Sequence, residues 1–305
     1  MAETDLRARA RHAARRLSRL RWLTKRKILA KYGCSLREQP GIYLRYLLWD
    51  PEVESYSYDI ANDDELCAFG AAHFGITEDQ ARAFLVEART DPELTNRLSE
   101  RTRWRFDAKT KLPIGNRLLW YIAARATKPK LVVETGIYEG LGSLVLLRAL
   151  ERNAAEGVDG RLVSLDFDPL CGFLVRDDPA LTARWTKIIG LTSELLPQVV
   201  EGEPIGLLLQ DTPHTEENQR HEFGVALRQA ADPLILIEGS GGYCPTMGQL
   251  AEQLGIELLH FREVPKDHFW RAPGQQVVVV PGAVSAAWPG WPEPGVRPEP
   301  AAPPS

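Results

Sequence analysis

From Lys130 onward, short apolar runs alternate with stretches of helix length, and no other feature of the chain restricts its fold so much. KLVVET, RLVSLD, WTKIIG, IGLLLQD and PLILIE are strand-length, rich in Leu, Ile and Val, and each leads into a segment with helical spacing. Strands apolar on both faces need cover on both faces. The pattern therefore predicts a doubly wound α/β fold, a Rossmann-like and mostly parallel sheet between helix layers. The last two runs, IELLHFREV and QQVVVVP, are joined by a loop too short for a crossover helix, which predicts an antiparallel final strand.

The ends differ from this body. Between Met1 and Lys31 stand eleven lysines and arginines against Glu3 and Asp5, while the whole chain has a net charge of -4. Leu6, Ala10, Ala13, Leu17, Leu20 and Thr24 recur at three and four, the pattern of a basic amphipathic helix. Such a helix suits a solvated face, contact with the acidic body of a homodimer, nucleic acid or an anionic membrane surface. Residues 34–108 read as a helical cap, with Thr77 and Gln80 spaced as a capping box. Residues 282–305 are so rich in proline that a disordered tail is expected, with Trp288 and Trp291 able to dock it. The expected divisions are thus a basic helix at 1–33, a cap at 34–108, the sheet domain at 109–281 and the tail at 282–305.

Composition excludes several classes. The longest apolar runs, such as Ile205 to Leu209, are far short of the roughly 20 residues of a membrane span. Cys34, Cys67, Cys171 and Cys244 form no CxxC pair, which argues against a zinc ribbon or a disulfide framework and for a cytoplasmic protein with reduced thiols.

The first strand of the sheet carries the chemistry. Glu134 ends it, and Gly136, Tyr138, Gly140, Gly142 and Ser143 follow in a turn that opens a helix. Glycines there let a ligand approach main-chain N–H groups at a helix N-terminus. Asp166 ends the second strand, where a carboxylate can accept from two ribose hydroxyls. Together they predict a nucleotide-like ligand; the spacing is not the G-x-G-x-x-G of NAD enzymes. Asp211 ends the fourth strand with His214 three residues on, suited either to deprotonating a hydroxyl or to bracing a loop.

These segments resemble class I S-adenosylmethionine-dependent methyltransferases, in the subset whose first motif reads V-E-T-G. The resemblance covers Pro129 to about Pro281. It implies S-adenosylmethionine as cofactor, with Glu134 beside the methionine moiety, the turn from Gly136 to Gly142 beneath it and Asp166 on the ribose. GLTSELLP resembles the family's adenine segment and puts Thr192 or Ser193 beside the base. Asp211 and Glu238 match, in kind, the carboxylates that hold Mg2+ in metal-dependent relatives, although Gly239 or Ser240 stands where a third ligand often follows. The resemblance implies a small-molecule acceptor, methylated on a hydroxyl, with His214 and Asp211 as catalytic residues. An RNA methyltransferase using the basic helix, and a non-catalytic nucleotide-binding or assembly module, are the alternatives.

Overall fold

The computed structural model describes residues 22–31, 33–48, 57–100, 113–175, 178–239, 244–269 and 274–291. The described part of the N-terminal region holds α1 (residues 22–31), α2 (Pro40–Leu48), β1 (Asp59–Ile60), α3 (Asp63–His73), α4 (Glu78–Thr90) and α5 (Pro92–Glu100). After a 3-10 turn at Gly115–Arg117, α6 (Leu118–Thr127) leads into alternating elements: β2 (Leu131–Thr135), α7 (Leu141–Ala155), β3 (Arg161–Asp166), α8 (Pro179–Thr182), β4 (Trp185–Ile189), α9 (Thr192–Val199), β5 (Ile205–Gln210), α10 (Glu216–Arg228) and β6 (Ala230–Glu238). The chain continues through α11 (Thr246–Leu254), β7 (Leu259–Phe261), β8 (Pro265–Lys266), β9 (Gln275–Val280) and α12 (Gly282–Ala286).

Seven strands form one sheet in the order β4-β3-β2-β5-β6-β9-β7. The pairings from β4 through β6 are parallel, and β9 runs antiparallel between β6 and β7. Every expected strand is present. Alternation explains their apolar continuity: Val132, Leu207, Leu209, Ile235 and Ile237 join one core, while Leu131, Val133, Leu208, Leu234 and Leu236 join the core on the opposite face. Chain order reverses between β2 and β5, which opens a crevice at the carboxyl ends of those strands.

The helical region is continuous with this body. Leu66, Leu85 and Leu94 share the core that includes Trp120 and Val132. Buried Asp91 accepts from Arg148 Nη2 at 2.8 Å, tying the start of α5 to α7. The capping box is formed, with Thr77 Oγ1 accepting from Gln80 N and Gln80 Oε1 accepting from Thr77 N. A two-residue pairing that periodicity cannot reveal sets Asp59 opposite Lys266 and Ile60 opposite Pro265. Asn62 reinforces it, donating to Arg262 O at 2.9 Å and accepting from Val264 N at 3.0 Å.

The ends are described only in part. Most of the basic helix lies outside the described residues; in its described part, Leu29 is fully buried against Cys34, Tyr46 and Phe269. Residues 282–291, the described part of the expected tail, dock through the two tryptophans. α12 is followed by Trp288 and Trp291, which pack edge-on at 5.8 Å against the core beneath α10 and α11, and Trp291 Nε1 donates to Arg220 O at 2.6 Å. Burial of two indoles outweighs what the prolines deny the backbone. Residues 292–305 lie outside the described part. Among the described residues no helix is long and apolar enough to cross a membrane.

Candidate active site

A cavity of about 780 Å³ occupies the crevice at the carboxyl ends of β2, β3, β5 and β6, within the size range of small-ligand sites. Glu134, Gly136, Tyr138, Gly142, Asp166, Ser193, Asp211 and His214 line it, so the topology brings together most of the residues singled out from sequence. Gly140 and Ser143 are not among its lining residues. Gly140 begins α7 with a φ of 90°, and the buried Ser143 hydroxyl donates to Glu134 Oε2. Their expected contact with a ligand becomes a supporting one.

Glu134 is 1% exposed at the last turn of β2. Ser164 Oγ also donates to its Oε2, at 2.7 Å, and Trp185 Nε1 fixes Ser164 in turn at 2.9 Å. Burial pushes the carboxyl up to about 7, with the two serine hydroxyls pulling against it. A carboxyl so placed is half ionised at neutrality, and a nearby cation would favour its charged form. Gly136 has a φ of 89°, a left-handed turn that glycine adopts without strain. Tyr138 has a φ of 50°, leaving its ring 55% exposed at the cavity mouth. Asp166 braces this turn: Oδ2 accepts from Ile137 N at 2.8 Å and Tyr138 N at 2.9 Å, and Oδ1 accepts from Asp168 N at 2.9 Å. Beside it, Phe167 is 71% exposed, and Leu191 is likewise exposed on the same cavity.

At the other end His214 meets Glu238 more closely than it meets Asp211. His214 Nδ1 lies 2.9 Å from Glu238 Oε1, while Nε2 lies 3.9 Å from Asp211 Oδ1. Asp211 Oδ2 instead accepts from Arg117 Nη2 at 2.9 Å. Burial acts to lower the His214 pKa, but the bond to Glu238 and the charges of Glu238, Asp211 and Glu222 outweigh it, so the imidazole titrates above its ordinary value. The expected Mg2+ does not fit these residues. Such an ion needs carboxylate oxygens converging on one point, whereas Asp211 is taken by a guanidinium and Glu238, 1% exposed, by an imidazole. No group of three His, Cys, Asp or Glu among the described residues is arranged to hold a metal.

Several lining residues gave no sequence signal, because they come from segments far apart in the chain. Trp120 Nε1 donates to Gln275 Oε1 at 2.7 Å, and Gln275 Nε2 donates to Glu263 Oε1 at 2.6 Å; Tyr58 closes the chain on Glu263 Oε2. Only Gln275, polar at the head of an apolar strand, stood out against its surroundings. Asn116, just before α6, also lines the cavity. The loop before β9 reaches this wall through His268, whose ring lies 5.5 Å from that of Tyr58. Trp270 and Arg271 lie outside the described residues.

Residues 133–237 match the family model described as a methyltransferase domain. That match falls on the strands and turn that build the cavity. Similar solved structures include the O-methyltransferase TomG from Streptomyces achromogenes, involved in tomaymycin synthesis and solved with S-adenosylmethionine (16% identity, 65% of this chain and 96% of that chain, TM-score 0.45). A putative O-methyltransferase from Klebsiella pneumoniae (18% identity, 65% and 94%, TM-score 0.45) and the O-methyltransferase from Bacillus cereus in complex with S-adenosylhomocysteine (14% identity, 71% and 97%, TM-score 0.39) are similar too. No curated protein matches the sequence.

Proposed function

We propose that the protein transfers a methyl group from S-adenosylmethionine to a hydroxyl of a small-molecule acceptor. The observation that carries this reading is His214, which lines the same cavity as the glycine turn and Asp166 and is held 2.9 Å from buried Glu238. The cofactor, when bound, supplies a methyl group activated by a sulfonium. The lining residues fit its parts: Glu134 offers a carboxylate to the ammonium, Asp166 keeps acceptor capacity for ribose hydroxyls, and exposed Phe167 and Leu191 form an apolar shelf for the base beside Thr192 and Ser193. His214, with Nδ1 held by Glu238, presents Nε2 to take the proton of an acceptor hydroxyl.

The reading is tested by calorimetric titration with S-adenosylmethionine and, separately, with NAD. Binding of the methyl donor alone is expected. Asp166→Ala should weaken it about 100-fold, since hydrogen bonds to a charged partner are worth roughly 1.5–3 kcal/mol each. A panel of hydroxyl and amine acceptors with labelled cofactor then separates O- from N-methylation. No heat from the methyl donor, or methylation of amines only, overturns the reading.

Glu134 makes a further expectation. Its carboxyl, pushed up to about 7 by burial, must be ionised to face an ammonium. Cofactor affinity should therefore fall as pH drops through 7, approaching tenfold per unit in the acid limb. Titrations between pH 5.5 and 8.5 check this, and Glu134→Gln should flatten the profile.

A further inference from the structure

We propose that Arg117 stands in for a divalent metal at the acceptor end of the cavity, so that the cation facing the acceptor oxygen is the chain's own guanidinium. The inference rests on the methyltransferase reading above and adds to it how the developing oxygen charge is met. Arg117 ends the 3-10 turn before α6 and lines the cavity with Asp211 and His214. Its guanidinium is fixed on several sides. Nη2 donates to Asp211 Oδ2 at 2.9 Å, Nη1 donates to Asn116 O at 3.3 Å, and the group lies 4.2 Å from the centre of the Trp120 ring. Trp120 is itself immobilised by burial and by its 2.7 Å bond to Gln275.

The carboxylate geometry points the same way. Asp211 and Glu238 end adjacent strands, the positions from which two carboxylates could share an ion. Glu238 is turned to His214, and Asp211 to Arg117, so each already has a partner from the chain. The Arg117 side chain is 17% exposed, which makes its field on a nearby oxygen stronger than that of a fully hydrated cation. A planar guanidinium with five donors also keeps N–H groups for an acceptor oxygen while its bond to Asp211 persists. Removing it would leave Asp211 facing the cavity without its cation, a position that another cation can take.

The test needs no acceptor. Mn2+ is titrated into the full chain at pH 8 and the free ion is followed by electron paramagnetic resonance, with calorimetry of S-adenosylmethionine on the same samples. Wild type and Arg117→Lys should leave the Mn2+ signal undiminished. Arg117→Met should take up one Mn2+ per chain, and Arg117→Met combined with Asp211→Asn should lose it again. One Mn2+ bound by wild type and abolished by Asp211→Asn would overturn the proposal, as would an Arg117→Met protein that binds the cofactor but no Mn2+. If Arg117→Met does not fold, Arg117→Gln takes its place in the same comparison. Failure of the underlying reading shows separately, as absence of cofactor binding in wild type.

Discussion

Replacing His214 with alanine is expected to slow methyl transfer to a hydroxyl acceptor by a factor of about 10² to 10⁴, the usual worth of a positioned general base, while cofactor affinity changes less than about twofold. The separation follows from place. His214 lies at the β5 and β6 edge with Asp211 and Glu238, whereas the glycine turn and Asp166 follow β2 and β3. Initial rates with the acceptor found in the panel, set beside calorimetry, decide it. Since the neutral imidazole is the base and its pKa is raised, the wild-type rate should climb with pH through a value above 6.5. Glu238→Gln should move that limb to lower pH by removing the charge that holds the proton, a shift that a purely structural role for Glu238 would not produce. A rate unchanged in His214→Ala would remove the imidazole from the mechanism.

Gly136→Val should abolish cofactor binding. A β-carbon at Gly136 would run into the Asp211 carbonyl oxygen and lie 2.6 Å from its carbon, where the turn after β2 crosses the end of β5. Backbone cannot yield as a side-chain tip does, so two cavity walls would have to separate. With φ at 89° adding strain of about 1–3 kcal/mol for any side chain, a loss above 100-fold in affinity and a lower melting temperature are expected. Gly157 is the control. It shares the backbone sign, with φ at 88°, but nothing lies within 4 Å of its added carbon. Gly157→Ala should cost about 1 kcal/mol in stability and leave affinity unaltered. Equal behaviour of the two variants would show that strain, and not the crossing at Asp211, sets the outcome.

The sequence made legible whatever is local and periodic. The strands announced themselves by apolar runs, Thr77 with Gln80 by their spacing, and the ligand-side turn by Glu134, Gly136 and Asp166. Side-chain partnership across elements was not legible. That His214 would turn to Glu238, 24 residues on, and Asp211 to Arg117, 94 residues back, depends on the lateral order of strands and on a 3-10 turn without periodicity. The C-terminal segment was legible in part for a related reason: the rings of Trp288 and Trp291 marked them as able to dock, whereas the surface they meet, at α10 and α11, is not encoded in composition.

The short pairing of Asp59–Ile60 with Pro265–Lys266 carries a consequence for the order of events during synthesis. The cavity wall made by Tyr58, Glu263 and Gln275 joins positions more than 200 residues apart. Chain closure over that span is entropically slow and needs both ends to be present. The parallel strands from β2 to β6 can assemble as they leave the ribosome, but the wall on the acceptor side must wait until β9 has emerged. A nascent or truncated chain that stops before Gln275 would own the glycine turn after β2 and lack the cavity wall that Tyr58, Glu263 and Gln275 build together.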